Sequence, residues 1–334
     1  MKTKHRPPTL RDVAAAAGVS TAAVSKYCSG AQRFSPAVEA AIQAAIEQLG
    51  YRTNHLARSI ATGRSGTVGL VVLDLGNPHF TGIVKGASRV AQANDYSMAF
   101  VDTAESKAPE RHLVETLSRR VDGLVVSSRL ADESIEWLKA LGKPVVFFGR
   151  YGHEGVHSVG ADGYLASLMI GRHLMTLEHR RVAYLGFPGS RWNAERRRGL
   201  GDALAEAGQK LRVFEVDAPT PEAGEEAASR LLLDGQRPDA IVTYNDLIAL
   251  GLMNEARSLG VSIPGDVSLA SFDDIAYGRY TSPTLTSVAM NSEQMGEVAM
   301  QRLLQLIAGE LEHPFDEVIA PRLVVRESTL RRSL

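Results

Sequence analysis

The chain has 334 residues, 44% of them hydrophobic and 22% charged, values typical of a globular protein with more than one domain. Its single cysteine, Cys28, excludes an internal disulfide framework and a multi-cysteine zinc site, and it favours a reducing compartment such as the cytoplasm. The basic N-terminus lacks the apolar core of a signal peptide, and no stretch reaches the roughly 18 apolar residues of a membrane span. We therefore expect neither secretion nor membrane insertion.

The formal net charge of −1 conceals an uneven distribution of charge along the chain. Residues 1–62 contain eight Lys and Arg against three Asp and Glu, which gives this segment +5 and leaves −6 for the remainder. Such asymmetry is typical of a polyanion-binding module joined to a body with a different task. A solvated basic tail is the alternative, but a tail would not carry the helix signals of this segment.

A helix-turn-helix pattern opens the basic segment. Thr9 caps a predicted helix over 10–17, Gly18 provides the turn, and Ser20 caps a second predicted helix over 21–27. Because the apolar residues of both helices recur at helical spacing, we expect them to share one small core. The residues predicted to form it are Val13, Ala17, Val19, Val24 and Tyr27.

A third helix is predicted over 36–49. Ser35 can cap it, Pro36 suits its first position, and Gly50 can end it. Three short helices then form one small all-helical domain.

The second helix exposes short polar and basic side chains along its outer face, namely Thr21, Ala22, Ser25 and Lys26. In a DNA major groove a lysine can donate to guanine, a hydroxyl can contact a base edge, and an alanine methyl can meet a thymine methyl. The pattern therefore favours DNA binding. An ordinary helical bundle with a solvated face is the alternative, since helix-turn-helix spacings in alanine-rich sequence give false positives.

Residues 9–26 and 49–60, followed by five shorter runs in a fixed order, carry a resemblance that covers nearly the whole chain. The shorter runs are Asn77–Phe80, Val121–Leu124, Tyr244–Asp246, Ile263–Ser268 and Ser282–Thr286. Together they resemble the lactose-repressor/galactose-repressor (LacI/GalR) family of bacterial transcription regulators.

The resemblance implies that operator contacts are distributed over the headpiece and a hinge. Thr21, Ala22 and Lys26 would read bases. Arg33 would lie near the operator backbone or an outer base, and Tyr51 would meet a phosphate. The candidate DNA-binding residues are Thr9, Ser20, Thr21, Ala22, Ser25, Lys26, Arg33, Tyr51, Asn54, Ala57 and Ile60.

The resemblance also implies that residues 54–62 fold on operator DNA and wedge an apolar side chain into the minor groove. Ile60 stands where the family usually has Leu, and a β-branched wedge is stiffer. Thr53 stands where the family commonly has Pro. Hydrophobic packing between hinge and body is the alternative role of Ile60.

From Thr67 onward the pattern changes to strands that alternate with helices, in two successive runs. Strands are predicted over 68–73, 98–101, 124–126, 145–148, 182–187, 213–216, 241–243 and 269–272. Helices are predicted over 85–93, 111–119, 134–141, 165–177, 195–207, 223–233 and 247–259. Two β/α runs predict a two-lobed α/β body, with parallel sheets and helices on both faces.

The resemblance implies that this body is periplasmic-binding-protein-like, of type I, and that the chain crosses between its lobes three times, near residues 162, 291 and 321. We predict four segments: a headpiece over 1–53, a hinge helix and linker over 54–66, an N-terminal lobe over 67–161 plus 292–320, and a C-terminal lobe over 162–291 plus 321–334.

Ligands of such folds bind at the carboxyl ends of strands and between two lobes. By the resemblance, Arg196 clamps the effector, and Asn245 and Asp273 bond it. The set fits a sugar-like or small anionic effector, because arginines, an amide and a carboxylate can bond hydroxyls or anions while aromatic faces stack. The residues just past predicted strand ends are Phe80, Ser127, Arg150, Arg191, Trp192, Arg196, Asn245 and Asp273.

Other roles remain open for several of these residues. Arg196 would also fit a solvated helix start, although the three arginines of 196–198 oppose the helix dipole there. Asp273 with its neighbour would also fit a helix cap or a metal site, and Trp192 a lid or a packed side chain. Gly149 stands where the family usually has Asp and Gly163 where Asn is common, so no particular effector transfers to this chain.

An enzyme is disfavoured, because the chain lacks a GxGxxG run after a strand and any GxxxxGK[ST], HExxH or GxSxG motif. A sugar-binding protein for transport would share the body but would need a signal peptide. We predict a cytoplasmic homodimeric repressor of palindromic double-stranded operator DNA, controlled by an effector between its lobes, with no catalytic residue, metal or cofactor. The alternative is a cytoplasmic sugar- or purine-binding protein, or a corepressor-dependent purine-type regulator. Residues 322–334 lack coiled-coil heptads, so we expect no tetramer formed through them.

Overall fold

The computed structural model describes residues 8–28, 32–51, 63–129, 133–149, 155–233 and 235–332. The chain divides into two compact units between Ser65 and Gly66. The first unit is the headpiece and the second is the body. The limits assigned above to headpiece, hinge and lobes stay a prediction.

The headpiece contains the three predicted helices, α1 (Leu10–Ala17), α2 (Thr21–Cys28) and α3 (Pro36–Leu49). The Asp12 carboxylate accepts hydrogen bonds from both the N–H and the hydroxyl of Thr9, each at 2.7 Å. These bonds secure the start of α1.

Gly18 ends α1 in the left-handed conformation at φ 66°. The Ser20 hydroxyl then accepts a hydrogen bond from the Ala23 N–H at 3.1 Å and caps α2, as predicted. The five apolar side chains that we expected to form a core lie in one cluster with the apolar face of α3. Local capping and one small core therefore account for this fold.

The N-terminal lobe contains a six-stranded sheet in the order β11-β5-β4-β3-β1-β2, in which every neighbouring pair is parallel. Its strands are β1 (Thr67–Val72), β2 (Ser97–Asp102), β3 (Leu124–Val126), β4 (Val145–Phe148), β5 (Ser158–Ala161) and β11 (Asp316–Ile319). Its helices are α4 (Pro78–Ala93), α5 (Lys107–Ser118), α6 (Glu133–Lys139) and α11 (Ser292–Ala308).

The C-terminal lobe contains a second six-stranded sheet in the order β12-β10-β9-β8-β6-β7, parallel except for the β12–β10 pair. Its strands are β6 (Val182–Gly186), β7 (Arg212–Glu215), β8 (Ala240–Thr243), β9 (Ser268–Asp273), β10 (Thr286–Ala289) and β12 (Arg322–Val324). Its helices are α7 (Gly163–Thr176), α8 (Trp192–Glu206), α9 (Pro221–Leu232) and α10 (Asp246–Ser258).

This architecture confirms the predicted fold class of a helical headpiece and two parallel α/β lobes. The chain passes from one sheet to the other after β5, after β10 and after β11, so three segments connect the lobes. The central strands β1, β3, β4, β6 and β8 are buried almost throughout, as expected for strands covered on both faces. In the described part of the chain, no helix combines the length and the apolarity needed to cross a bilayer.

All seven predicted helices of the body begin one to seven residues earlier than the sequence pattern predicted, and two of these differences concern the ends of central strands. The helix predicted from Lys85 begins at Pro78, because the Asn77 side chain accepts a hydrogen bond from the His79 N–H at 3.0 Å and Pro78 suits the first helical position. Helix α8 begins at Trp192 instead of Glu195. Both corrections matter, because they place a helix start at the carboxyl end of a central strand in each lobe.

Glycines allow the helices on each sheet to approach closely. A Cβ atom on Gly86 of α4 would lie 1.9 Å from the Glu293 carbonyl oxygen of α11. On Gly199 of α8 a Cβ atom would lie 2.3 Å from the Tyr164 carbonyl oxygen of α7. Such helix pairs can pack backbone to backbone only where no Cβ intervenes.

This packing predicts opposite effects of one substitution at two sites of α8. Gly199→Ala should lower the free energy of unfolding by about 1–3 kcal/mol, because the new methyl group must displace a backbone carbonyl. Gly201→Ala should raise it by about 1 kcal/mol, because nothing lies within 4 Å of a Cβ atom there and alanine favours a helix. Chemical denaturation of the full-length variants measures both values, and equal effects would contradict the packing argument.

Candidate DNA-binding face and effector cleft

The outer face of α2 has the composition that base recognition requires. Thr21, Ala22, Ser25 and Lys26 are exposed, whereas Val24 on the opposite side is completely buried in the headpiece core. One helix therefore supplies an anchored apolar face and a continuous outward face of short polar and basic groups.

The other candidate DNA-binding residues differ in their surroundings. Ser20 and Arg33 are exposed, and the Lys26 ammonium donates a hydrogen bond to the Gln32 side chain at 3.0 Å. Thr9 is committed to the cap of α1, and Tyr51 is buried against the headpiece core. Asn54, Ala57 and Ile60 lie outside the described residues.

In the body, the structure brings together the candidate effector residues that it describes. All six of these residues line one cleft between the lobes, and Arg191 lines it as well. The six are Phe80, Ser127, Trp192, Arg196, Asn245 and Asp273. Arg150 lies outside the described residues. The cleft joins the carboxyl ends of β1 and β3 in one lobe to those of β6, β8 and β9 in the other.

Arg196 forms the floor of this cleft. Its side chain is 2% exposed, and its guanidinium carbon lies 4.6 Å and 4.4 Å from the ring centroids of Tyr244 and Phe272. One Nη atom donates to the Tyr244 carbonyl oxygen, and the other lies 3.6 Å from the Asp273 carboxylate. A solvated helix start is therefore wrong for Arg196, although Arg197 and Arg198 are exposed.

Asp273 connects the two lobes through a histidine. It ends β9 in the C-terminal lobe, and its carboxylate lies 3.7 Å from Nδ1 of His79 in the N-terminal lobe. The same Nδ1 forms a hydrogen bond with the Ser292 hydroxyl at 2.8 Å. Burial lowers the pKa of His79, and Asp273 opposes that shift only in part. This imidazole is therefore held toward its neutral form.

The alternative roles of the two adjacent acids are not supported. The short 3-10 helix over 276–279 receives no side-chain cap, so Asp273 does not serve as one. Asp274 instead pairs with Arg326 at 2.5 Å and Arg279 at 3.5 Å. Among the described residues, no cluster of His, Cys, Asp and Glu could hold a metal ion.

Asn245 lines the cleft, but its side-chain amide forms hydrogen bonds within the protein that stabilise the fold. Its Oδ1 accepts the Ile248 N–H at 3.0 Å and caps α10, and its Nδ2 donates to the Pro219 carbonyl oxygen at 3.0 Å. These bonds hold α10 and the preceding loop in place around the cleft.

Sequence reasoning missed one further arginine at the cleft. Arg129 donates to both carboxylate oxygens of Glu105, at 2.6 and 2.9 Å, and its guanidinium carbon lies 5.4 Å from the ring centroid of Phe187 in the other lobe. Its position in the sequence could have identified it, because it lies two residues after Ser127, just past the end of β3. Glu105 had no comparable signal, since it stands in a turn at φ 56°.

Within the part of the chain that the structure describes, two buried polar atoms at the cleft have no hydrogen-bond partner, the Ser127 hydroxyl and Nε of Arg196. Leaving such groups unsatisfied costs about 1–3 kcal/mol each, so both positions favour an incoming polar ligand. The cavity between the walls is only about 40 Å³, enough for a few water molecules. A larger ligand therefore requires the walls to move apart.

Behind the cleft lies a buried carboxyl group, that of Asp246 at the start of α10. It accepts the Ile275 N–H at 2.8 Å and the Ser287 hydroxyl at 2.7 Å. Burial, and then the negative charge of Asp273, raises its pKa to about 8 from an ordinary value of 3.8, against the opposing effect of these hydrogen bonds. Near neutral pH the folded protein therefore holds a proton there that the unfolded chain releases.

This proton predicts a pH dependence of stability. Because the pKa of Asp246 is raised on folding, its contribution is complete below about pH 4 and is lost as the pH rises toward about 8. Between pH 5 and 8, the free energy of unfolding of the parent protein should fall relative to that of Asp246→Asn, by up to about 1.4 kcal/mol per pH unit. Chemical denaturation at several pH values measures the difference. Asp217→Asn, at an exposed carboxyl, controls for the lost charge, and parallel profiles for parent and Asp246→Asn would refute the argument.

Comparison with known proteins identifies the family. The profile of the bacterial regulatory proteins of the lacI family matches residues 9–54, and that of the periplasmic binding protein-like domain matches residues 172–329. Over 333 residues the chain is 33% identical to the HTH-type transcriptional regulator GalR of Escherichia coli (strain K12), an alignment covering 98% of this chain and 97% of GalR. The chain belongs to the LacI family.

Solved structures of LacI-family proteins agree over the whole chain. A complex of the transcriptional regulator CelR with cellobiose is 30% identical, with 96% of this chain and 99% of that chain covered and a TM-score of 0.72. A lac repressor dimer bound to operator and the anti-inducer ONPF is 25% identical, with 97% and 100% covered and a TM-score of 0.87. As a LacI-family member, the protein is a DNA-binding transcription regulator and not an enzyme, which confirms the prediction from sequence.

Proposed function

We propose that this LacI-family protein is a cytoplasmic repressor that binds a palindromic operator as a homodimer. A sugar-like effector in the cleft between the lobes controls its operator affinity. Two observations on the same chain carry the proposal: the exposed face of α2, and a cleft in which two buried polar atoms have no hydrogen-bond partner among the described residues.

The DNA-binding half rests on chemistry and symmetry. Lys26 and Thr21 offer donors to base edges, and Ala22 offers a methyl group, so α2 suits the major groove. One headpiece contacts only a few base pairs, whereas two related by a twofold axis read a palindrome with the sum of their contacts. The solved lac repressor is a dimer bound to operator, which supports the same assembly here.

The effector half rests on the donors and acceptors of the cleft. Ser127 can donate or accept, Nε of Arg196 donates, and the Asp273 carboxylate accepts, so together they fit hydroxyl groups, which do both. Phe80 and Trp192 add aromatic surface of the kind that packs against the C–H face of a sugar ring. The sugars in related structures, cellobiose in CelR and ribose in a regulator from Enterococcus faecium, support this class.

Control of the operator follows from the small volume of the cleft. Because the walls must move apart to admit a sugar, the effector stabilises one arrangement of the lobes over another. If the operator prefers a different arrangement, each ligand weakens the other by the same factor. Effector and operator are then coupled without direct contact.

Lys26→Ala tests the recognition face. Specific operator affinity should fall about 5- to 150-fold, the loss expected for one good base contact worth about 1–3 kcal/mol. Fluorescence anisotropy with a labelled operator, selected from random DNA by the parent protein, measures the change.

Lys210→Ala serves as the matched control, because it removes the same charge from an exposed site of the body and should leave operator affinity unchanged. Both variants should retain the parental response to effector. Unchanged operator binding by Lys26→Ala would contradict the assignment of α2.

Ser127→Ala tests the cleft. No hydrogen bond is lost in the free protein, so thermal stability should stay constant or rise, whereas effector affinity should fall about tenfold through a missing hydroxyl contact. A calorimetric titration with the most effective of D-galactose, D-ribose and cellobiose in a thermal-shift screen measures the loss.

Ser167→Ala is the control outside the cleft. It removes a buried hydroxyl that donates to the Gly163 carbonyl oxygen, so it should lower stability and leave effector affinity intact. Equal affinities of the parent and Ser127→Ala would remove Ser127 from the site. A response to purines instead of sugars would replace the proposed effector class.

A further inference from the structure

Gly149 and Trp192 meet across the two lobes. Gly149 follows β4 of the N-terminal lobe and is fixed there by a hydrogen bond from its N–H to the Val159 carbonyl oxygen at 2.9 Å. Trp192 is the first residue of α8 in the C-terminal lobe. A Cβ atom on Gly149 would lie 2.6 Å from the indole Nε1 and 3.1 Å from Cε2 and Cζ2. The indole therefore occupies the space that any side chain at position 149 would need.

The backbone conformation at Gly149 is a second reason why this position favours glycine. Its φ is 100°, in the region that favours glycine, so a side chain there is strained whatever the space around it. A residue other than glycine at position 149 would therefore meet both backbone strain and a clash with the indole from the opposite lobe.

Trp192 also touches the polar floor of the cleft. Its ring centroid lies 6.3 Å from that of His79 in an edge-on arrangement, and 5.7 Å from the guanidinium carbon of Arg196. An indole seated on Gly149 therefore closes one side of the space above Arg196 with apolar surface. A ligand group that reaches this side meets an aromatic wall.

We propose that Gly149, by having no side chain, provides the space, or seat, in which the Trp192 indole lies. The indole seated there limits the effector to a single sugar ring. The proposal rests on the proposed function, because it specifies the ligand of the same cleft. To admit one sugar ring the walls part around Arg196 while the indole stays on Gly149. An indole is about as large as a second pyranose ring, so a disaccharide enters only when the indole leaves its seat. Trp192 is then the residue that discriminates effectors by length.

A double-mutant cycle in the full-length protein tests the contact without any ligand. Gly149→Ala should lower the midpoint of thermal unfolding more than Gly142→Ala, a control in the same lobe with φ 64° and nothing within 4 Å of a Cβ atom. In a Trp192→Ala background the excess cost of Gly149→Ala over Gly142→Ala should shrink, because the clash is removed while the difference in backbone strain remains. Equal losses in both backgrounds would overturn the contact.

Sugar titrations test the consequence for the effector. D-Galactose and D-ribose, against the disaccharides cellobiose and lactose, are compared by their effect on operator affinity. The parent should respond to a monosaccharide alone, and Trp192→Ala should gain at least about tenfold in its response to a disaccharide relative to that monosaccharide. The conservative Trp192→Phe should remain closer to the parent, because a smaller ring still covers the seat.

The outcomes separate this inference from the proposed function. A parent that responds to a disaccharide, or a Trp192→Ala variant whose ratio of responses is unchanged, overturns the size limit while leaving sugar control intact. If no sugar alters operator affinity in any variant, the proposed effector class fails and the size limit fails with it. The thermal cycle still decides whether the indole is seated on Gly149.

Discussion

A fully buried guanidinium is the constraint on which the body depends. Removing a charge from water is costly, and the interior must replace the lost hydration with fixed partners. Arg196 receives two aromatic rings, a carbonyl oxygen and the Asp273 carboxylate at 3.6 Å. These partners come from the ends of β8 and β9, and Arg196 itself lies on the helix that follows β6, so the positions of three strands all bear on one side chain.

The burial of Arg196 also explains features that look unrelated to it. Helix α8 must approach α7 closely to carry the guanidinium inward, and Gly199 permits that approach. The Asp273 carboxylate lies 3.6 Å from the guanidinium, and its charge is the second cause, after burial, of the raised pKa of Asp246. A proton on Asp246 thus removes one negative charge from a region that already contains the negative charge of Asp273. The charge balance in the cleft and the packing behind it are therefore linked through Arg196.

Local patterns in the sequence predicted the elements whose stability is local. Capping at Thr9 and Ser20 and the apolar spacing of α1 and α2 fixed the headpiece, and eight strands of the body followed from apolar runs. Four strands were missed, β5, β10, β11 and β12. Strand β5 consists of small residues, and β10 begins with buried hydroxyls: that of Thr286 bonds the Arg326 carbonyl at 3.2 Å and that of Ser287 bonds Asp246. The short edge strands β11 and β12 have only two or three consecutive apolar residues each, and pairing with strands distant in sequence fixes them.

The same distinction explains which cleft residues were predicted. Positions just past strand ends could be read from the chain, because parallel strands bring their carboxyl ends to one edge. His79 was missed because the start of α4 was placed seven residues too late, and Glu105 because only the fold brings it to Arg129. The commitment of Asn245 to a cap could not be predicted either, since an amide past a strand end serves a ligand or a helix equally well.

The two compact units depend on electrostatics in different ways, and this difference allows one chain to perform two tasks. The charge of +5 on residues 1–62 acts on phosphates through solvent, so its contribution falls steeply as salt is added. The ion pairs of the cleft are buried, where salt screens them much less. Effector recognition can therefore stay constant while DNA affinity varies with ionic conditions. An operator-binding regulator needs this separation. The effector must shift the DNA affinity, which solution conditions also change, and its own binding should not change with those conditions.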